Sequence, residues 1–555
     1  MQSIRSWTQQ RELTVYPSTP ARVGQFGLIT LVSTVIFYQI YVQGAVSPLI
    51  IADFSIPLKT FVLVSIVGNA VGAVAAWAAG LADRVGRVNL ILVGSAGASA
   101  ITGIALPATT GATAYLCVYA SLSLIGGVVL VATSALIRDF SPQLGRATAM
   151  GLWAVGPSLG NLLISAVTHQ MLPTHPDWQY HFQVAGLIGM LMFLLAAGYL
   201  RELSPQLRDQ VMVSLRDQVL IESRVRQAET DDGASTPRSG INTMWRPALV
   251  VPALGISLFL MFYVTRVGFF VLYFVSNFGY TTSRANGLAT WYWVANVIAL
   301  VGVGLVSDRW KVRKPLMVVG AVASAAALAV FASRADDPTT SYGGFVVLLV
   351  VLAAAGGMVS TTWLAMFTET VEGIDPTAIA RGMAVYGSVL RAFVVVTLIG
   401  FMTTVSAASV LVDQGARVSS IATTYGAELQ TLGTVAPGTM SRLRADPGDA
   451  RATRAAVKQL RAAKVDRPRD AIKAALAVPA NDLTYLSEHV AGVKEAAADG
   501  PGQWKRWWWV CLVGQLLIIP LSLGMRGRWN PRTAAADAAR HQVLVDAETA
   551  RLRKH

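Results

Sequence analysis

Two arginines lie inside long apolar runs of this 555-residue sequence, at positions where a charged group is costly. Arg391 falls within the run 382–406 and Arg266 within the run 247–276, and neither has an evident carboxylate partner at the same depth. A charge at the centre of a bilayer costs roughly 2.5–3.5 kcal/mol on insertion scales, so such residues usually face a cavity or a partner. A guanidinium binds carboxylate or phosphate through two parallel hydrogen bonds. The pattern predicts a cavity that accepts an anion. The alternatives are that backbone carbonyls hold Arg391 and that Arg266 reaches the membrane interface.

Polar and aromatic side chains within other apolar runs are further candidates for the lining of such a cavity. In a helical bundle, most residues of this kind are helix-packing contacts or belong to an interfacial belt, and that alternative stays open here. The candidates for substrate binding besides the two arginines are Tyr38, Gln39, Gln43, Tyr263, Trp291, Asn296 and Trp363.

A short charged loop follows the second apolar run and recurs in the second half of the chain. The first copy holds Gly80, Asp83, Arg84, Gly86 and Arg87, and the second holds Gly304, Asp308 and Arg309. Two further arginines, Arg146 and Arg381, each open a run of small residues. A repeat of this kind, with several apolar runs in each copy, predicts a duplicated membrane bundle.

These loops resemble the signature of the major facilitator superfamily, in which a glycine, a leucine, an aspartate and then Arg-x-Gly-Arg and one further basic residue follow at fixed spacing. In the first copy Leu81, Asp83, Arg84, Gly86 and Arg87 match, while Ala79 and Val88 depart from the pattern. In the second copy Gly304, Asp308, Arg309 and Arg313 match, and Lys311 takes the glycine position. The resemblance covers most of residues 22–526 and implies two six-helix halves that rock about a central site.

The same resemblance implies a gating role for the charged loops. Asp83 would face the helix start at Arg381, and by pseudo-symmetry Asp308 would face the helix start at Arg146. A carboxylate at a helix N-terminus is stabilised by the positive end of the helix dipole. The alternative is that these charges only set the topology of the chain.

The composition places the chain in a membrane. It is 54% hydrophobic and only 14% charged, whereas soluble domains carry roughly 25% charged residues. A spanning helix needs about 20 mostly apolar residues, and runs of that kind predict an all-α membrane protein with about twelve transmembrane helices in two six-helix bundles. The predicted divisions are an N-terminal tail (1–23), a first bundle (24–200), a linker (201–246), helices seven to eleven (247–410), an insertion (411–505), the twelfth helix (506–526) and a C-terminal tail (527–555).

Small residues at helical spacing predict close helix packing. Gly68 and Gly72 are four residues apart in the second run, so they share one face. Gly156, Pro157 and Gly160 in the fifth run resemble the glycine–proline motif of proton-coupled drug exporters. A kinked and closely packed helix explains the same three residues without any such activity.

The distribution of basic residues predicts the orientation. Arginines cluster in alternate loops, whereas the opposite turn 107–111 carries no charge, so the basic loops and both termini are expected in the cytoplasm. The insertion 411–505 is then extracytoplasmic, either as a small helical cap or, alternatively, as a disordered loop. Frequent Ala, Gly, Val and Arg are typical of a high-GC bacterium, so the expected location is the bacterial inner membrane.

Several functional classes find no support in the sequence. The net charge of +14 is explained by basic loops, so we expect no nucleic-acid partner. Cys117 and Cys511 lie in apolar runs and are expected to be buried hydrophobes. No cluster of His, Cys or carboxylates at membrane depth predicts a metal, a cofactor or an enzyme, and no glycine-rich phosphate loop predicts an ATP-driven pump.

The leading hypothesis is a secondary transporter, expected to be a monomer in contact with membrane lipid. It would move a small-molecule substrate, an organic anion or another metabolite, by alternating access. A coupling proton is left open, because no carboxylate lies at mid-membrane depth. The alternatives are drug or metabolite efflux by proton antiport, and a non-transporting receptor or assembly protein whose insertion binds an extracytoplasmic partner.

Overall fold

The computed structural model describes residues 11–74, 86–140, 153–204, 245–310, 312–374 and 379–525, together with a few single positions. Four of the predicted gating residues, Gly80, Asp83, Arg84 and Arg146, lie outside the described residues.

The described residues of the first half form seven α-helices. They are α1 (Thr19–Ala45), α2 (Ser47–Phe54), α3 (Leu58–Val74), α4 (Arg87–Ala100), α5 (Ala112–Phe140), α6 (Gly156–Met171) and α7 (Trp178–Tyr199). The short helix α2 directly follows α1, and a π-helical turn at Ile101–Ala105 continues α4.

The second half repeats this arrangement, and its first span consists of two helices that meet at Leu260, where ψ is 0°. The helices are α8 (Pro247–Phe259), α9 (Met261–Phe278), α10 (Thr282–Trp310), α11 (Lys314–Ser333), α12 (Tyr342–Ile374) and α13 (Ile379–Thr404). Several helices of both halves carry proline in the first turn, where its missing N–H is no loss.

The last part of the chain is a helical insertion followed by one long helix. A π-helical turn at Leu411–Gly415 follows α14. The helices are α14 (Ser406–Val410), α15 (Ala416–Thr424), α16 (Gly426–Thr434), α17 (Pro437–Ala445), α18 (Ala450–Ala462), α19 (Pro468–Ala477) and α20 (Ala480–Ser522). The expected division at 505/506 therefore falls inside a continuous helix.

Nine helical units of the described residues are long and apolar enough to cross a membrane. The shorter apolar helix α3, the helix α6 and the second half of α20 bring the number of spans to twelve, six in each half. This confirms the predicted all-α membrane fold. The two halves bury large aromatic clusters, in which Tyr273, Trp504 and Trp508 are almost fully enclosed.

Glycines allow close approach of neighbouring helices at the predicted positions. A Cβ on Gly160 would lie 2.9 Å from the Thr34 carbonyl oxygen, and one on Gly68 would lie 3.1 Å from Ser123 Oγ. Gly156 approaches Ser33 less closely, at 3.4 Å. Gly72 lies in α3 as expected.

The N-terminal segment is tied to the end of the first half by a two-residue parallel sheet. Strand β1 (Glu12–Leu13) pairs with β2 (Glu202–Leu203), which directly follows α7. The backbone N–H of Glu202 donates to the carbonyl of Arg11 at 3.2 Å. Part of the predicted N-terminal tail thus packs with the first bundle.

Two ends of the bundle are named by what lies there. The basic-loop face carries Gly86 and Arg87 at the start of α4 and Arg313 at the start of α11. The opposite end of the bundle, where α13 ends and α14 begins, is called the insertion face.

Candidate functional site

A cavity of about 150 Å³ lies between the two halves of the bundle. Ser158 of α6 comes from the first half, whereas Tyr263 of α9, Tyr292 and Asn296 of α10 and Gln515 of α20 come from the second. Both halves therefore contribute to one site, as a solute carried between two rocking bundles requires.

Hydrogen bonds fix the polar side chains of this cavity. Ser158 Oγ donates to Asn296 Oδ1 at 2.9 Å, and Asn296 Nδ2 donates to the Ala353 carbonyl at 3.1 Å. Ser324 Oγ donates to Gln515 Oε1 at 3.0 Å. The Ser158–Asn296 bond joins the two halves directly, so any separation of the halves at this level must break it.

Arg266 lies behind the aromatic wall of the cavity. Its side chain is only 3% exposed, and its guanidinium carbon is 3.6 Å from the ring centre of Tyr292 and 3.7 Å from that of Trp293. Tyr263 is a third ring, at 5.4 Å. Nε and Nη2 are buried and have no hydrogen-bond acceptor. A desolvated guanidinium gains about 2 kcal/mol from a ring face, but its N–H donors stay unsatisfied.

Arg391 does not line this cavity. It is half-buried in α13, and no hydrogen bond or ion pair links it to another described residue. The strongly exposed residues Val396 and Ile399 mark the outer side of the same helix. At 100° per residue, Arg391 lies at the flank of that side.

The other candidates divide between the cavity and the interior of each half. Tyr263 and Asn296 line the cavity. Gln39 instead donates to Ser99 Oγ at 3.0 Å, and Gln43 accepts from Tyr115 Oη at 3.3 Å, both within the first half. Gln39 and Gln43 are four positions apart and therefore share one face of α1, and that face packs against α4 and α5.

The remaining aromatic candidates also lie away from the cavity. Trp363 stacks on Phe367 at 4.8 Å in the core of the second half, and Tyr38 is fully buried in the first. Trp291 is 52% exposed, in line with the exposed Ile298 and Leu305 on the outer side of α10. It precedes the cavity residue Tyr292 by one position, and 100° of helical rotation turns it outward.

On the basic-loop face, Arg87 is held by groups that the sequence did not single out. It forms an ion pair with Asp139 at the end of α5, and it also donates to the Ala135 carbonyl at 3.1 Å. Its backbone N–H donates to Glu202 Oε2 at 2.9 Å. Gly86 has φ +94°, and a Cβ there would lie 2.9 Å from Glu202 Oε1. Glycine is thus required twice, by its backbone conformation and by the carboxylate beside it.

The second half repeats this arrangement. Arg313 at the start of α11 donates from Nε to Glu369 Oε1 at 3.3 Å and from Nη1 to Ser307 Oγ at 2.7 Å. A Cβ on Gly304 would meet only Thr361 Cγ2, at 3.6 Å. Arg309 is exposed. Asp308 lies near the end of α10 and Arg381 near the start of α13, and the structure does not describe their side chains.

On the insertion face, hydrogen bonds between described residues connect the halves at several points. Asp413 Oδ1 accepts the backbone N–H of Leu58, the first residue of α3, at 2.7 Å. Ser283 Oγ donates to the His169 carbonyl at 2.7 Å, and Asn286 Nδ2 donates to the Ala45 carbonyl at 3.0 Å. These contacts hold the two halves together at this face.

Twelve membrane-spanning helices in two repeated halves, with a polar cavity between them, define a multi-pass membrane transporter rather than an enzyme. The chain belongs to the major facilitator superfamily, whose sequence model matches residues 29–397. No curated protein matches the chain at the sequence level.

Solved structures show the same fold. A bacterial homologue of the human lysosomal transporter Spinster, in an inward-facing and unoccupied conformation, has a TM-score of 0.51 at 14% identity, with 93% of this chain and 100% of that chain covered. Its inward-facing and occupied form has a TM-score of 0.50 at 15% identity, with 89% and 97% covered. A D-xylose–proton symporter has a TM-score of 0.51 at 15% identity, with 67% and 89% covered.

Proposed function

We propose that this protein is a secondary active transporter that carries a small organic anion across the bacterial inner membrane by alternating access. The insertion face would be extracytoplasmic and both termini cytoplasmic, because short loops rich in Arg and Lys stay inside. The protein would act as a monomer.

The single observation that carries the anionic assignment is Arg266. It is buried and charged, and two of its nitrogens, Nε and Nη2, have no hydrogen-bond acceptor, while the guanidinium packs against Tyr263 and Tyr292 of the cavity wall. Rotation of Tyr263 or Tyr292 would open a path from the cavity to the guanidinium. A carboxylate or phosphate entering there would satisfy donors that otherwise remain unpaired, and such charge-assisted bonds contribute roughly 1.5–3 kcal/mol each.

The size of the cavity bounds the substrate. Its volume of about 150 Å³ equals that of an engineered protein cavity that holds one benzene molecule. In this conformation it therefore accepts a solute of about six non-hydrogen atoms. This favours a small carboxylate over the bulky hydrophobic cations that drug exporters carry.

The polar lining also bears on coupling. None of the described residues that line the cavity is a carboxylate, so a coupled proton would need a carrier elsewhere in the chain.

The proposal is tested by thermal shift of the purified protein against short mono- and dicarboxylates, with neutral analogues of equal size as references. We expect stabilisation by carboxylates in the wild type and its loss in Arg266→Met, which keeps the packing volume but removes the charge. Arg391→Gln is the matched control, because it removes a second membrane arginine that lies off the cavity.

If Arg391→Gln alone abolishes the shift, the anion anchor is Arg391 and not Arg266. If neutral analogues stabilise the wild type equally, the substrate is not selected by charge. Uptake of the stabilising carboxylate into proteoliposomes then separates a transporter from a non-transporting receptor.

A further inference from the structure

The outer part of the insertion presents an unusually basic surface. Between 442 and 473 the chain has ten Lys or Arg and four Asp. All ten basic side chains are exposed, and none forms an ion pair within 4 Å. We call helices α17–α19 with their connections the basic cap. Its basic residues are Arg442, Arg444, Arg451, Arg454, Lys458, Arg461, Lys464, Arg467, Arg469 and Lys473.

Four of these residues form a stripe on α18. Arg451, Arg454, Lys458 and Arg461 recur at intervals of three or four, so they share one side of the helix. The opposite side buries Leu460 in the small core of the cap. At 1.5 Å per residue the stripe is about 15 Å long. Packing of α18 therefore holds four cations in a row, none of which forms an ion pair within 4 Å with another described residue.

The surface of the cap excludes two kinds of partner. The described residues from 406 to 505 expose no large hydrophobic side chain. A stable protein–protein interface has an apolar, aromatic-rich core, and an amphipathic helix that enters a membrane needs Trp, Phe or Leu on one side. The cap offers neither, so any recognition by this surface is electrostatic.

The distance of the cap from the bilayer also matters. Lys505 of α20 pairs with Asp336 in the turn before α12, which places it at the membrane end of the bundle. From Lys505 back to Ala480, where the cap joins α20, the helix extends about 37 Å at 1.5 Å per residue. The Debye length at physiological ionic strength is about 8 Å, so a cap held at the far end of this helix lies beyond the range of the headgroup charge when the helix points away from the bilayer.

We propose that the basic cap binds an acidic polysaccharide on the insertion side of the membrane. A flexible chain with regularly spaced carboxylates can follow a 15 Å row of cations and needs no apolar pocket. Binding would tether the transporter within a charged envelope layer. It does not depend on which solute the cavity carries.

The test uses the full-length protein in detergent micelles and fluorescently labelled oligogalacturonate, with neutral dextran of equal length as the reference. We expect binding of the acidic chain only, weakening steeply with salt. Replacing the stripe by R451Q/R454Q/K458Q/R461Q should weaken binding at least about tenfold and make it less dependent on salt, because fewer counterions are released on binding.

The matched control is D466N/D470N, which raises the positive charge of the same cap and should tighten binding. It keeps the test decisive if the four-glutamine variant folds poorly, which its thermal midpoint would show. Equal affinity for the acidic chain in wild type and both variants overturns the proposal. So does co-sedimentation of the nanodisc-embedded protein with anionic phospholipid vesicles but no binding of oligogalacturonate.

Discussion

Loss of the Asp413 carboxylate should favour opening of the insertion face. Asp413 belongs to the second half, and its Oδ1 accepts the N–H of Leu58 at 2.7 Å, at the first residue of α3 in the first half. Its Oδ2 accepts from Ser409 Oγ at 3.2 Å, which orients the carboxylate. The bond exists only while the two halves meet at this face. Its energy therefore stabilises the conformation seen here and no conformation in which the face is open.

The magnitude follows from the type of contact. Replacing a residue that caps a helix N-terminus by alanine costs about 0.5–2 kcal/mol. Since 1.4 kcal/mol is a factor of ten, Asp413→Ala should shift the equilibrium toward the open insertion face about 2- to 30-fold. Asp413→Asn keeps an acceptor and loses only the charge–dipole attraction of about 0.3–1 kcal/mol, so its shift should be about two- to fivefold.

Pulsed electron spin distances in nanodiscs measure this equilibrium. Spin labels on cysteines at the exposed positions Thr174 and Ser333 would report on the two halves at the insertion face. Cys117 is exposed, whereas the sequence predicted that it is buried, so it must first be replaced. Ser409→Ala, which removes only the orienting hydroxyl, is the control and should cause a smaller shift than Asp413→Ala. If the distance distribution of Asp413→Ala equals that of the wild type, the contact does not hold this face closed.

Three further predictions concern local stability. Backbone N–H groups at the start of α18 lower the carboxyl pKa of Asp449, so the ionised side chain stabilises the helix above about pH 4, and this stabilisation is lost as pH falls through the lowered pKa. Hydrogen exchange of α18, corrected for intrinsic rates, should therefore accelerate on acidification in the wild type. In Asp449→Ala the exchange should be fast at both pH values. Gly186→Ala should lower the thermal midpoint, because its Cβ would meet a backbone atom at 2.3 Å and overpacking costs about 1–3 kcal/mol, whereas Gly198→Ala on the same helix has open space and should not. In the buried pair of Arg87 and Asp139, Arg87→Gln and Asp139→Asn should each cost up to about 3–5 kcal/mol in unfolding experiments, and the double variant should cost less than the sum.

The sequence was sufficient for the membrane fold because hydropathy and length decide it. Every predicted run from 24 to 200 and from 247 to 406 contains or overlaps a helix of the structure. The repeat of the charged loops was also informative, since Arg87 and Arg313, one position apart in the aligned copies, both lie at the start of a helix and each pairs with a carboxylate near the end of the next span. The bundle and its duplication could therefore be predicted from residue types alone.

The cavity could be predicted only in part. A polar residue in an apolar run can face the central cavity or the interior of its own half. Its side chain finds hydrogen-bond partners in either place. Gln39 and Asn296 illustrate the two outcomes, because one binds Ser99 within the first half and the other binds Ser158 across the cavity. The angular phase of each helix is set by packing with distant segments, which a single sequence does not reveal. Glu202 escaped notice for the same reason, since 114 residues separate it from Val88.

The short parallel sheet at the N-terminus has a consequence for biosynthesis. Strand β1 can pair with β2 only after residue 203 has left the ribosome. Pairing of β2 also places Glu202 at the start of α4, where its carboxylate accepts the backbone N–H of Arg87. The linker that follows gives the ribosome time before α8 emerges at Pro247. The first half can thus be locked as a finished unit in the translocon while the second half is still being made.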